Sequence, residues 1–178
     1  MELVDNSSNE EKQIDKQYQL DREIRGSILE QAITIEGFVE DIIATHFCPD
    51  LERRYLLHSL IISTPHLGFP SKVKILKGLL RICYPDLLQN FPDVIDELDK
   101  VRRFRNRIAH SALDTTPEWL ANKFTDRIRL VYYKDGRREQ QVVTLDDIKE
   151  KQIAFSRLIP VLLDIWGEVG RRISAKRT

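Results

Sequence analysis

Apolar residues recur at helical spacing over most of the chain. Between Tyr18 and Phe47 they follow one another at steps of three and four residues, which places them on one face of a long helix. Pro49 ends this helix at Cys48, because helical geometry is disfavoured for the residue before a proline. We therefore predict a long first helix whose inward face carries Ile24, Ile28, Ile35, Phe38, Ile42 and Ile43.

Three further helices are predicted between residues 51 and 110. The second spans residues 51–63 and ends at the proline and glycine of the TPHLGFP loop. Ser71 is placed to cap the third, and Pro85 divides or ends it. Pro92 suits the first turn of a fourth helix, which runs to about His110. The inward positions are Val73, Leu76, Leu79, Leu80 and Cys83 in the third helix, and Val94, Leu98, Val101, Phe104 and Ile108 in the fourth.

The pattern changes to that of strands over residues 127–144. The stretches IRLVYY and QQVVTL are rich in β-branched and aromatic residues, and Asp135-Gly136 between them is typical of a tight hairpin turn. Thr144 and Asp147 then form a capping box for a last helix, in which Pro160 predicts a kink. We therefore expect a β-hairpin directly before the last helix.

Together these elements predict an all-α fold, an up-and-down bundle of about five helices with a small β-hairpin inserted before the last helix. Residues 1–16 are polar and show no apolar period, and such a segment cannot bury enough surface to offset the entropy of ordering it. We expect a flexible N-terminal tail over residues 1–16 and a single helical domain over residues 17–174.

Composition narrows the class of protein. With 178 residues, 42% of them hydrophobic, the chain can build one core without disulfides. Its 28 lysines and arginines balance 28 aspartates and glutamates, so any contact with RNA must be local. The N-terminus does not resemble a signal peptide, and no stretch approaches the roughly 18 apolar residues of a membrane span. These features favour a cytoplasmic protein without a membrane partner.

Cysteine and histidine spacing argues against a metal site. The two cysteines lie far apart and are expected to be reduced, buried thiols. The histidines outside the fourth helix share no ligand spacing with each other or with the cysteines. We expect neither a metal nor a cofactor. The cysteines are Cys48 and Cys83, and these histidines are His46, His58 and His66.

Candidate chemistry is concentrated at the end of the fourth helix. The segment KVRRFRNRIAHS, residues 100–111, packs four arginines, an asparagine and a histidine into three helical turns. At about 100° per residue, Asn106 and His110 project from one side of the helix, opposite Ile108. Arg105 lies about 140° around the helix from His110. A solvated or ion-paired helix face would also explain these charges, since acidic residues precede them in the same helix.

The stretch RNRIAH, residues 105–110, resembles the signature of the HEPN family, in which an arginine and a polar residue precede a histidine by a few positions. The order of helices is also similar, with a long first helix, GSILEQAITIEGFVEDII, and then the helix FPSKVKILKGLL before the motif. As an arrangement of helices the likeness spans about residues 20–170, whereas the motif itself covers residues 105–111.

For active members of the family, the resemblance implies metal-independent RNA cleavage in a groove where two subunits bring their motifs together. It assigns proton transfer to His110, stabilisation of the phosphate to Arg105 and orientation of these groups to Asn106. The substrate-binding candidates on the same segment are Arg103, Arg107 and Ser111. The leading interpretation is therefore a homodimeric ribonuclease of a toxin, antiphage or stress system.

Two other functions fit the same sequence. A noncatalytic module for dimerisation and partner binding would resemble inactive HEPN relatives and, more distantly, the mannitol-operon repressor type. HEPN proteins are also found paired with a nucleotidyltransferase or an antitoxin. Tyr132 and Tyr133 could stack on RNA bases, although at least one tyrosine of such a hairpin is expected to pack against the helices.

Overall fold

A computed structural model of the protein describes residues 6–176. The fold is mostly helical, with a small antiparallel sheet before the last two helices, which confirms the predicted order of elements at that level. The elements are α1 (Asn6–Phe47), α2 (Leu51–Leu57), a π-helical turn (His58–Ile62), α3 (Phe69–Cys83), α4 (Pro85–Asn90), α5 (Val94–His110), β1 (Ala112–Leu113), α6 (Pro117–Leu120), β2 (Arg127–Lys134), β3 (Arg137–Thr144), α7 (Leu145–Ser156) and α8 (Leu158–Ala175). Within the described residues, every helix is too short or too polar to cross a membrane.

α1 begins well before its predicted start at Tyr18. Residues 6–16, which were predicted to form a tail, belong to this helix, and residues 1–5 lie outside the described part of the chain. The buried side chain of Gln17 donates a hydrogen bond to the carbonyl of Phe124 at 2.7 Å and accepts one from the indole of Trp119 at 3.2 Å. Polar contacts of this kind have no apolar periodicity, so the sequence pattern did not reveal them.

Prolines shape the next three helices. α3 begins at Phe69 with Gly68 as its N-cap, so Ser71 lies inside the first turn and the prediction that it caps the helix was wrong. Pro85 starts the short helix α4, which confirms that the predicted third helix divides there. α5 begins at Val94, slightly later than predicted.

The sheet has three strands in the order β1-β2-β3, all antiparallel, so the predicted hairpin is correct but incomplete. Within the hairpin, Lys134 pairs with Arg137 across a two-residue turn. Asp135 and Gly136 have φ values of 51° and 75°, as a type I′ turn requires. β1 adds to the free edge of β2 through only two residue pairs, which is too short a strand to recognise from a sequence pattern.

The predicted last helix is two helices. Its start is confirmed, since the N–H of Thr144 donates to the carboxylate of Asp147 at 2.9 Å and the N–H of Asp147 donates to the Thr144 hydroxyl at 3.0 Å. The helix breaks between Ser156 and Leu158. Pro160 has no N–H for the carbonyl of Ser156 and its ring crowds that carbonyl, which explains the interruption. Arg157 between the two helices keeps helical backbone angles (φ −67°, ψ −21°), and its N–H donates to the carbonyl of Ile153 at 3.3 Å.

The chain forms two compact units, and α1, α5 and α7 each contribute residues to both. The first unit comprises the chain up to Glu30 together with Phe104–Gln152, and the second comprises Gln31–Arg103 and the chain from Ile153 onward. The first core includes Ile24, Ile28, Ile108, Ile128 and Leu130, and the second includes Ile35, Ile42, Leu76, Leu80, Leu98, Leu162 and Ile165. A single domain over residues 17–174 stays a prediction.

Both cysteines are free. Cys83 is exposed on α3 and Cys48 is partly exposed after α1, so the expectation of buried thiols was wrong. The helical face predicted for α3 is buried at its other positions, which means that the apolar stripe ends one turn before Cys83.

Candidate functional site

The motif segment lies in the first unit, on the last two turns of α5. Ile108 is fully buried, and this fixes the rotation of the helix end. His110 is exposed and Asn106 is partly exposed, as the helical periodicity predicted. The imidazole of His110 is therefore accessible from solvent.

Arg105 and Asn106 form a hydrogen-bonded pair. The Arg105 guanidinium donates through Nη1 to Oδ1 of Asn106 at 3.0 Å. Among the described residues, Arg105 has no hydrogen bond to His110, in agreement with the wide angle between the two on the helix. The other guanidinium N–H groups remain suited to paired hydrogen bonds with a phosphate.

The two other candidate arginines of α5 differ in their surroundings. Arg103 is exposed. Arg107 donates through Nη1 to Oε1 of Gln141 on β3 at 3.0 Å, and its guanidinium carbon lies 5.8 Å from the ring centroid of Tyr132 on β2. Arg107 thus contacts the hairpin, whereas Arg103 makes no such contact within the described residues.

Ser111 is buried at the end of α5, and its hydroxyl donates to the carbonyl of Ile108 at 3.3 Å. The guanidinium of Arg25 on α1 donates to the same carbonyl and pairs with Asp21 at 2.8 Å. These bonds satisfy a carbonyl that the helix end leaves without an intrahelical partner. Substrate binding by Ser111 stays a prediction, and its burial does not favour it.

Asp114, just after β1, is a buried carboxylate that the sequence analysis missed. It accepts hydrogen bonds from the Arg129 guanidinium at 2.6 Å and from the backbone N–H of Thr116 at 2.9 Å. Burial raises the pKa of Asp114, but the bonds from Thr116 and Arg129 outweigh it and leave the pKa below its ordinary value. The guanidinium of Arg129 also lies 4.7 Å from the ring centroid of Trp119, which fixes this corner of the first unit.

A groove of about 590 Å³ opens beside the motif histidine. Its polar and aromatic lining consists of His110, Asp114, Thr115, Thr116, Tyr132, Tyr133 and Arg138. The groove lies where β1, which begins at Ala112 opposite Val131, leaves the last residues of β2 up to Lys134 without a partner on this edge. The proximity of Tyr133 and Arg138 to His110 was not predicted from the sequence, since it depends on the hairpin register and on the strand β1.

The two tyrosines of β2 have different environments. Tyr132 is half-buried against Arg107, and a hydrogen bond to Glu139, together with burial, raises its pKa. Tyr133 is 76% exposed. One tyrosine therefore packs against a helix, as expected, and the other presents its ring to solvent.

The second unit contains a cluster of paired polar side chains. Lys72 is 4% exposed and donates to Glu40 and, at 2.6 Å, to Glu36. Burial lowers the pKa of Lys72, but the two carboxylates outweigh this effect and leave it raised. The hydroxyl of Ser63 donates to Glu40 at 2.7 Å and lies 3.1 Å from Nδ1 of His58. Because Ser63 donates to a carboxylate, its hydroxyl is not placed as a nucleophile activated by histidine.

Within residues 6–176, no group of three or more histidine, cysteine, aspartate or glutamate side chains is placed to hold a metal ion. Comparison of the chain with models of known protein families, with curated proteins and with solved structures found no match. The resemblance to the HEPN family therefore rests on residues 105–111 and on the order of the helices.

Proposed function

We propose that this chain is a metal-independent endoribonuclease of the HEPN type, which acts as a homodimer in a toxin, antiphage or stress system. The observation that carries the proposal is an exposed His110 at the end of α5, one helical turn from the Arg105–Asn106 pair and beside an open groove. In this proposal the helices form the up-and-down bundle of the family.

The proposed reaction uses the 2′-hydroxyl of the RNA as nucleophile. His110 accepts the proton of that hydroxyl while its oxygen forms a bond to phosphorus, and the bond to the 5′-oxygen breaks. His110 of the partner subunit gives a proton to the leaving 5′-oxygen, so the products are a 2′,3′-cyclic phosphate and a 5′-hydroxyl. Arg105 stabilises the charge that develops on the phosphate oxygens, and its bond with Asn106 holds the guanidinium in place.

The test is an RNA cleavage assay with purified protein in the presence of a chelator, which excludes contaminating metal-dependent nucleases. We expect the wild type to cleave a single-stranded oligonucleotide and to leave 2′,3′-cyclic phosphate ends. His110→Ala should reduce the rate by at least about 100-fold, since it removes the group that transfers the proton. His66→Ala is the matched control, because this histidine is also exposed but lies in the second unit.

Two outcomes would contradict the proposal. One is cleavage by His110→Ala at the wild-type rate, and the other is no cleavage by the wild type at generous protein concentration. Because His110 is exposed, the variant should keep the circular dichroism spectrum of the wild type, so a loss of activity would not reflect unfolding.

One observation favours a noncatalytic module instead. Arg105 donates a hydrogen bond to Asn106, and no hydrogen bond described within residues 6–176 joins it to His110. The same surface could then serve dimerisation, or bind a nucleotidyltransferase or an antitoxin. A protein partner captured equally well by the wild type and by His110→Ala, with no cleavage by either, would support this second function.

A further inference from the structure

We infer that the groove beside His110 binds one nucleotide of single-stranded RNA next to the scissile phosphate, with its base stacked on Tyr133 and its phosphate held by Arg138. This inference rests on the proposed function and identifies the nucleotide of the RNA that the groove would bind.

The hairpin register places the two binding groups together. Tyr133 and Arg138 are directly opposed on β2 and β3, so their side chains lie on the same face of the sheet. Continuing the β1–β2 register from Ala112↔Val131 places position 110 opposite Tyr133, and at this position the chain is still the last turn of α5. His110, Tyr133 and Arg138 therefore line one groove although they come from three elements.

Tyr133 is suited to stacking. Its ring is 76% exposed, in contrast to the half-buried ring of its neighbour Tyr132. An exposed aromatic ring beside a basic group is the usual platform for an unpaired base, and it accepts any base because every base has a π face.

Arg138 is the basic group of the groove that is not engaged by a carboxylate. The nearby arginines have partners, since Arg129 pairs with Asp114, Arg127 with Asp126, and Arg107 bonds to Gln141. No ion pair described in residues 6–176 includes Arg138, and its side chain is exposed. Its guanidinium is therefore available for paired hydrogen bonds to a phosphate.

The end of β2 also offers backbone groups. The N–H of Asp114 donates to the carbonyl of Arg129 at 2.8 Å, so the alternation of an antiparallel ladder turns the N–H and C=O of Val131 and Tyr133 toward the same edge. β1 pairs with Val131 but ends before Tyr133. The backbone of Tyr133 can thus form hydrogen bonds with the edge of a bound base.

The size and shape of the groove favour single-stranded RNA. A volume of about 590 Å³ lies within the range of roughly 300–1,000 Å³ that small-ligand sites occupy, which is enough for one splayed nucleotide. A base inside a duplex cannot reach Tyr133 without leaving its stack. A peptide strand is a poor alternative, because the free edge of β2 extends past β1 only over 132–134.

The first measurement is binding of a fluorescent single-stranded RNA oligonucleotide, followed by anisotropy, with all variants made on the noncleaving His110→Ala chain. Tyr133→Ala should weaken binding about tenfold, the effect of losing one stacked base. Tyr133→Phe should bind like its parent, since it keeps the ring. Tyr18→Ala, at an exposed tyrosine on α1, is the control for losing an aromatic side chain outside the groove.

Arg138→Ala should also weaken binding, and it should reduce the slope of log affinity against log salt by about 0.7, the value for one phosphate contact on a single strand. Arg137→Ala is the matched control, because it removes an exposed arginine next along β3 whose side chain lies on the opposite sheet face. A duplex of the same sequence should bind more weakly than the single strand and lose nothing with Tyr133→Ala.

The same variants with His110 present separate this inference from the proposed function. Cleavage that depends on His110 but is unchanged by Tyr133→Ala and Arg138→Ala would overturn the groove and leave the ribonuclease standing. Binding that depends on Tyr133 and Arg138, without cleavage by the wild type, would support the groove and overturn the ribonuclease. An equal loss of binding in Tyr18→Ala, or no RNA binding at all, would also overturn the groove.

Discussion

Asp114 is a charged side chain in an almost fully buried position, and its bonds to Arg129 and Thr116 hold the end of β1 near the groove. Because its folded pKa is depressed, the carboxylate contributes stability above its unfolded pKa and loses that contribution as the pH falls through the folded value. The ion pair with Arg129 is therefore a source of stability at neutral pH that acid removes.

We expect Asp114→Asn to lower the free energy of unfolding by about 3 kcal/mol at pH 7, because it leaves the guanidinium of Arg129 without its charge partner. The difference from the wild type should shrink as the pH falls below 4. Urea unfolding at pH 7, 5 and 3, followed by circular dichroism, measures both effects. Asp146→Asn, which removes an exposed carboxylate, should change stability by less than about 0.5 kcal/mol, and a constant difference at all pH values for Asp114→Asn would contradict the assignment.

Only those features of the candidate site that depend on a single helix could be predicted from the sequence. Helical periodicity placed His110 on the exposed side of α5 and Ile108 in the core, because that geometry depends on one helix alone. The proximity of Tyr133 and Arg138 to His110 depends on strand register and on a two-residue strand, which no local pattern encodes. The bond from Arg25 to the end of α5 is likewise a long-range contact that only the folded chain shows.

The hairpin is the element on which the groove depends. Its turn uses positive φ at Asp135 and Gly136, and the pairing of Tyr133 with Arg138 follows from that two-residue turn. A side chain at position 136 is strained in this backbone conformation even though no neighbour lies within 4 Å of the place its Cβ would occupy.

We expect Gly136→Ala to destabilise the protein by about 1 kcal/mol, since alanine is unfavourable at positive φ. Gly26→Ala should instead raise the free energy of unfolding by about 0.5–1 kcal/mol, because Gly26 lies inside α1 with open space around it. Thermal unfolding of the two variants and the wild type gives the comparison. A stabilising Gly136→Ala would show that the turn has another conformation in solution.

Elements with strong local signals were predicted well. The Asp-Gly turn and the capping box of Thr144 and Asp147 carry their own hydrogen-bonding chemistry, so both could be recognised from a few residues. The early start of α1 and the interruption before α8 could not be predicted from a few neighbouring residues. The early start of α1 is held by the contacts of Gln17 with residues far along the chain. At the start of α8, Pro160 predicted a kink, and the sequence did not show that the helix would be interrupted at Arg157.

At the scale of the whole molecule, the second unit carries several exposed apolar side chains between the end of α1 and the π-helical turn. Each of these side chains is more than half exposed. Exposed apolar side chains mark an interaction site where they form one patch. The proposed mechanism brings His110 of both copies to one phosphate, so the exposed face of α5 must lie at the interface of the dimer. We propose that these apolar side chains form a further contact with the second copy. The surface consists of Phe47, Leu51, Tyr55, Leu56, Leu60 and Ile61.

We expect the wild type to sediment as a dimer at micromolar concentration and Leu60→Glu to sediment as a monomer, because a buried unpaired carboxylate opposes association. Ile153→Glu, at another exposed apolar position of the second unit, should remain dimeric. Analytical ultracentrifugation distinguishes the species. A Leu60→Glu dimer would exclude this surface as the interface and leave the exposed face of α5 as the next surface to test.

The hydrogen bond from Arg25 to the carbonyl of Ile108 orders the final turn of α5 when the chain folds. Helix ends fray on the nanosecond scale, and a histidine on a fraying turn would spend its time in many orientations. Here Arg25, which is paired with Asp21 on α1, donates to the carbonyl of Ile108 in the final turn. The entropy of ordering that turn is lost when the chain folds. If the proposed function holds, the free energy of RNA binding is therefore not reduced by ordering the backbone that carries His110.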